Sequence, residues 1–257
     1  MKTKTPLFVA ALMTLLSLAG LFFQSTFYPT QDLQRAFVSN DVVNLLIGLP
    51  ALLLSPSLAR RGKLIGVLLL PGALLYVAYN YIAYSIATWT SVQSIFYIAL
   101  VGLSAWSAFQ SFAHIDKHGI QQKLHGRVPS RFAGGVLTVF GLLFFLRGLA
   151  QVYAAISNSD SLVTPEMSVV YADLLITPLW ILGGLSLWRR QAFGYAAGAG
   201  LLFQASMLFI ALLVFFILQP FLTGAEFPAT DFAVIFGMGL VFFIPFGLFV
   251  RGILSAE

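Results

Sequence analysis

The chain has 257 residues, of which 59% are hydrophobic, 15% aromatic and only 9% charged, with a formal net charge of +5. About a quarter of the residues in an ordinary soluble domain are charged, so these proportions exclude a soluble enzyme, a disordered chain and a nucleic-acid-binding domain. The absence of cysteine removes disulfides, C-x-x-C redox chemistry and thiolate metal sites.

A membrane-crossing helix needs about 20 mainly apolar residues. Eight runs meet that requirement, at 6–27, 40–58, 63–88, 91–113, 132–157, 170–188, 192–220 and 231–252. The first follows Lys2 and Lys4 and continues to Phe27 with no convincing small-x-small cleavage site, so it is read as a retained helix and not as a secretory signal. The expected fold is all-α, an integral membrane bundle of eight transmembrane helices.

Threading eight spans alternately gathers the cations on one face. Lys2 and Lys4 precede span 1; Arg60, Arg61 and Lys63 separate spans 2 and 3; Lys117, Lys123, Arg127 and Arg131 separate 4 and 5; Arg189 and Arg190 separate 6 and 7; Arg251 ends span 8. Arg35 falls on the other face and Arg147 within span 5. Asp32, Asp41, Asp160, Glu166, Asp173, Glu226 and Asp231 also fall on the other face, and all are expected at helix ends or in loops. Lys and Arg enrich short cytoplasmic loops. Both ends of the chain are therefore expected in the cytoplasm, with the protein in a bacterial or archaeal plasma membrane.

Spans 2 and 6 carry a correspondence. Shifting the chain by 129 positions lays Asn44-Leu45-Leu46-Ile47 on Asp173-Leu174-Leu175-Ile176, and Ser57-Leu58-x-Arg60-Arg61 on Ser186-Leu187-x-Arg189-Arg190, without a gap between the two. The expectation is a duplication into two parallel four-helix repeats, 1–128 and 129–257, related by an axis along the membrane normal. A groove between the halves would be the natural place for a ligand.

Span 3 holds Tyr76, Asn80 and Tyr84 at four-residue spacing along one face, with Tyr79 and Tyr81 beside them. An asparagine in hydrocarbon needs a hydrogen-bonding partner, and Gln93, Tyr97, Gln204 and Ser206 are candidate neighbours. Tyr81, Tyr84 and Trp89 read more simply as an aromatic belt. In span 5, Arg147 sits in Leu142-Leu143-Phe144-Phe145-Leu146-Arg147, with Gln151 one turn further along the same face. An arginine near the bilayer centre costs about 2.5–3.5 kcal/mol on insertion scales. Either Asp173 and Asp41 at helix ends compensate it, or it snorkels to the outer headgroups. From these residues we expect an outward-opening polar pocket in the outer half of the bundle, lined by Asn44, Tyr76, Asn80, Arg147, Gln151 and Asp173.

Other features have structural readings. Small residues from Gly194 to Gly200 let span 7 approach a neighbour closely, and Pro50, Pro71, Pro178 and Pro245 can kink their spans. His114, His118 and His125 share one hydrophilic stretch, so no apolar run carries an imidazole for haem, and His114 with His118 lacks a third metal ligand beyond Asp116. No cofactor or metal is expected, and no H-E-x-x-H, G-x-S-x-G or Walker-type motif occurs.

The segment Asp41-Val42-Val43-Asn44-Leu45, with Gly48-Leu49-Pro50 and Leu58-Ala59-Arg60-Arg61-Gly62 after it, resembles a family of uncharacterised bacterial and archaeal polytopic membrane proteins. So do Leu75-Tyr76-Val77-Ala78-Tyr79-Asn80-Tyr81 and Asp173-Leu174-x-x-x-Pro178-Leu179-Trp180-x-x-Gly183-Gly184. The resemblance implies a multi-span membrane protein and brings no activity or catalytic residue.

The expected function is binding or transport of a small amphipathic or lipid-like molecule, with the lipid bilayer as the surrounding partner and no nucleic acid. One alternative is an accessory subunit that binds another membrane protein. An intramembrane enzyme is the weaker alternative, because only Tyr, Asn, Arg and helix-end Asp are on offer.

Overall fold

A computed structural model describes residues 4–257, so Lys2 lies outside the described residues. Among these, all regular structure is helical. The chain runs through α1 (Lys4–Phe22), the single turn α2 (Gln24–Phe27), α3 (Gln31–Val43), a π-helical turn (Asn44–Gly48) and α4 (Leu49–Arg60). It continues through α5 (Leu64–Ala87), α6 (Gln93–Ala113), the short α7 (Lys117–Leu124), α8 (Ser130–Asn158), α9 (Pro165–Trp188), α10 (Ala192–Thr223) and α11 (Ala229–Leu254). Counting Gln31–Arg60 as one helix with a π turn, eight helices are long and apolar enough to cross a membrane. Their outer surface carries large apolar side chains such as Leu15, Phe22, Leu46, Trp106, Leu146 and Phe221.

The second helix differs most from its expected span. It begins at Gln31 and not near residue 40, because Thr30 accepts a hydrogen bond from the Leu33 N–H and starts the helix ahead of the apolar run. Asp41 therefore stands ten residues, about 15 Å, inside the helix. The same holds for α9, which starts at Pro165 with Thr164 accepting from the Met167 N–H and carries Asp173 about 12 Å inward. Neither acid is a helix-end residue, which corrects the sequence expectation.

α5 is the most enclosed helix and packs against α4, α6, α9 and α10. It meets α10 backbone to backbone, because a Cβ on Gly72 would overlap the Gly200 carbonyl and one on Gly200 would crowd the Leu68 carbonyl. α8 and α9 approach in the same manner through Gly134 and Gly184. Two large apolar cores result, with a small third cluster of Ile82, Ala172 and Ile176 between α5 and α9. One gathers Met13, Phe37, Leu52, Leu74 and Leu100 around α5 and its neighbours. The other gathers Leu137, Trp180, Leu202, Phe242 and Phe249 from α8 to α11.

At the basic face the polypeptide is tied together. The Glu257 carboxylate accepts from the Ile65 N–H at 3.0 Å and lies 3.4 Å from Lys63 Nζ, capping α5. Arg127 donates to the Ser255 carbonyl at 2.6 Å. Asp116 caps α7 by accepting from the Gly119 N–H at 3.0 Å, which gives that carboxylate a structural task beside the two histidines.

Candidate functional site

The polar interior is built where α1, α3 and α5 converge. Asp41 is 1% exposed. Its Oδ2 accepts from the Tyr28 hydroxyl at 2.6 Å and its Oδ1 from the Tyr84 hydroxyl at 3.0 Å. Space for it comes from α1, since a Cβ on Gly20 would collide with Asp41 Oδ2 and with the Tyr28 hydroxyl. Tyr28 reaches the site from the turn after α2, where its carbonyl accepts from Gln34 Nε2 at 2.9 Å. Phe37, Tyr81, Tyr84 and Tyr97 close round it, with Phe37 and Tyr84 ring centroids 4.3 Å apart and Tyr81 stacked on Tyr84 at 5.0 Å.

Hydrogen bonds continue the chain of polar groups. Asn40 Nδ2 donates to the Tyr84 hydroxyl at 3.2 Å and to Asn80 Oδ1 at 3.3 Å, and Asn80 Nδ2 donates to the Tyr76 carbonyl at 2.9 Å. The Tyr81 hydroxyl lies 3.1 Å from Ser17 Oγ.

Beyond Asn80 the pairing stops. Asn44 is fully buried, yet neither its amide oxygen nor its nitrogen has a partner, and the buried Tyr76 hydroxyl is equally alone. Both border the π turn: Leu49 N–H bonds the Asn44 carbonyl five residues back, and a Cβ on Gly48 would press on the Tyr76 ring and on Met13. Pro50 has no N–H to offer Leu46, which accounts for an irregular turn here. A buried unpaired polar group costs about 1–3 kcal/mol, and π turns recur at functional positions.

The six residues expected to line one pocket divide into two groups. Asn44, Tyr76 and Asn80 lie together as described. Asp173 lies apart from them, its Oδ1 accepting from the Tyr79 hydroxyl at 2.8 Å. Arg147 is exposed on the surface of α8 and Gln151 is half-buried. Gly148, next to Arg147, packs on Leu174 and Val170, so the guanidinium stands at the edge of the α8–α9 seam. Among the described residues the ion pair formed is Lys63 with Glu257; Arg147 is not enclosed by the bundle, contrary to expectation.

Several neighbours also differ. Gln93 donates to the Thr26 carbonyl at 2.9 Å, and Gln204 accepts from Trp180 Nε1 at 2.9 Å, so neither serves Asn80. Trp89 is 65% exposed, as a belt residue would be, whereas Tyr81 and Tyr84 are fully buried. Their hydroxyls turn inward because Ser17 and Asp41 supply partners there. Tyr28 and Asn40 were not singled out from sequence. A signal for this face existed: Phe37, Asp41, Asn44 and Gly48 recur at spacings of four, three and four, the repeat of one helical stripe.

The cluster supplies neutral donors and acceptors, one carboxylate and a wall of aromatic rings. No group of three or more His, Asp or Glu side chains gathers for a metal among the described residues. In comparisons with known proteins, the chain matches no family model, no curated protein and no solved structure.

Proposed function

We propose that this is an integral membrane protein that binds or carries a small amphipathic or lipid-like molecule, taken in from the face opposite the basic loops. The observation that carries the reading is the pair of fully buried, unpartnered groups, the Asn44 amide and the Tyr76 hydroxyl, beside the π turn. They offer donors and acceptors to a polar head, and the aromatic wall of Phe37, Tyr81 and Tyr84 suits an apolar tail. Asp173 and Tyr79, paired at 2.8 Å, with Arg147 and Gln151 on α8, form a separate polar group that this reading takes as the ligand's point of entry.

Internal duplication fits this reading. The third long helices of the two halves, α5 and α10, cross at Gly72 and Gly200, 128 positions apart and one short of the 129-residue register. α5 packs on α9 and α10 packs on α3, a reciprocal exchange of partners, and α1 meets α6 as α8 meets α11. The basic loops on one face support cytoplasmic ends.

Thermal unfolding of the purified protein in detergent, against a panel of lipids and small amphipathic metabolites, tests the reading. A ligand should raise Tm for the natural chain and not for Asn44→Leu. Because the Asn44 amide bonds nothing, that substitution should leave the unliganded Tm unchanged or higher. A panel without any shift, or a shift retained by Asn44→Leu, overturns the assignment.

A further inference from the structure

A second site lies on the basic face. Residues Ser130, Arg131, Phe132, Arg190 and Tyr195 line a cleft of about 280 Å³ between the start of α8 and the α9–α10 turn. One water occupies about 30 Å³ of liquid, so the cleft has room for a polyatomic anion.

Its polar groups are mostly donors. α8 begins after Pro129 without a side-chain cap. The Ser130 N–H is taken by the Val128 carbonyl and the Ala133 N–H by Pro129, while the N–H groups of Arg131 and Phe132 have no backbone partner. Such a terminus of a 29-residue helix favours negative charge. Two hydroxyls add donors, that of Tyr195 on α10 independently of this helix and that of Ser130 at its first residue. Tyr195 is 1% exposed and Ser130 is 5% exposed, and neither hydroxyl is hydrogen-bonded to a described group. Arg131 and Arg190 add two guanidinium groups outside any ion pair, and no carboxylate stands among the lining residues.

Arg190 is held in place at some cost. Its φ of 57° is left-handed, a conformation disfavoured for a residue with a side chain. The turn is clamped by its own N–H on the Leu187 carbonyl at 2.9 Å and by Gln121 Nε2, from α7, on its carbonyl at 2.8 Å. This is the αL turn that ends α9, with the Gln191 N–H on the Ser186 carbonyl at 2.9 Å, and it leaves Arg190 and Tyr195 lining the same cleft.

We propose that this cleft binds a phosphate group, with Arg131 and Arg190 supplying charge, the α8 N–H groups and the Ser130 and Tyr195 hydroxyls supplying directed donors. The phosphate is either that of an anionic phospholipid headgroup or a free phosphate. The site is separate from the polar interior and stands or falls without it.

The whole chain in detergent, at constant ionic strength, is titrated with inorganic phosphate, with dioctanoyl-phosphatidylglycerol and with dioctanoyl-phosphatidylcholine, and Tm is read. A rise with phosphatidylglycerol above that with phosphatidylcholine assigns the headgroup, and a rise with inorganic phosphate assigns the free ion. In either case Arg190→Gln and Arg131→Gln should each weaken the half-saturating concentration roughly tenfold, the worth of one charge-assisted hydrogen bond. Tyr195→Phe should weaken it less. Arg60→Gln, an exposed cation elsewhere on the same face, should leave it unchanged. Both arginines are exposed and unpaired, so the Tm without probe should stay close to that of the natural chain. No rise with any probe, or equal weakening by Arg60→Gln, overturns the proposal.

Discussion

The Tyr28 hydroxyl donates to Asp41 Oδ2 at 2.6 Å, joining the turn before α3 to the last turn of that helix, just ahead of the π turn. Tyr84 meets the other carboxylate oxygen at 3.0 Å. Tyr28→Phe or Tyr84→Phe should each destabilise the fold by about 1–3 kcal/mol, because a buried carboxylate loses one of two donors. Tyr97→Phe is the control: its hydroxyl is buried without a partner, so its removal should be neutral or mildly stabilising. Thermal unfolding in detergent ranks the three.

Two glycine substitutions should move stability in opposite directions. Gly72→Ala places a methyl group on the Gly200 carbonyl and forces α5 and α10 apart, with an expected loss of about 1–3 kcal/mol from overpacking. Gly135→Ala meets nothing within 4 Å and should gain about 0.5–1 kcal/mol from helix propensity. Comparison of the two midpoints checks the crossing.

Arg147→Leu should unfold at the same temperature or higher, since the exposed guanidinium forms no ion pair and an arginine within a span costs about 2.5–3.5 kcal/mol to insert. If Arg147 belongs to the rim of the ligand route, the same variant should lose part of the ligand-induced rise in Tm. An undiminished rise removes Arg147 from the route.

The clamp between Glu257 and α5 predicts a pH dependence. The Ile65 N–H, with Lys63 beside it, holds the Glu257 carboxyl below its usual value of 4.5. A lowered acid adds stability above its unfolded value and loses it as pH falls through the folded one. The Tm difference between the natural chain and Glu257→Gln should therefore be present at neutral pH, shrink as pH drops below about 4.5 and vanish in stronger acid. The effect should be small, because the Lys63 side chain is 56% exposed and solvent screens the pair from that side.

Orientation is open to direct labelling, since the chain has no cysteine of its own. Gln122→Cys lies exposed on the basic face and Ser161→Cys exposed on the opposite one. With cytoplasmic basic loops, an impermeant maleimide applied to intact cells should mark Ser161→Cys alone and reach Gln122→Cys only after lysis. The reverse pattern inverts the topology.

Apolar run length was enough to expose eight long helices, because burial in hydrocarbon selects against charge along a whole span. It failed at Gln31 to Asn40, where Gln, Asp, Gln and Arg read as loop although the Thr30 cap makes them helix. That error put Asp41 at a helix end. Its partners Tyr28 and Tyr84 lie 13 and 43 residues away, and no local pattern announces such contacts. Asn44, Tyr76 and Asn80 were legible because polar groups on an apolar stripe are costly to bury. Asp173 was expected at a helix end and stands inside α9 because the Thr164 cap starts that helix early, and the exposure of Arg147 depends on how α8 packs, a tertiary fact absent from span lengths.

Where α5 and α10 touch at Gly72 and Gly200 main-chain atoms meet with no side chain between them, so the contact has no rotamer that could yield. Met207 and Ala211 of α10 join Leu70, Ala73 and Leu74 of α5 in one core beside that crossing. A methyl group added at the crossing must therefore be absorbed by shifting whole helices, and the strain reaches residues that never touch the substituted position.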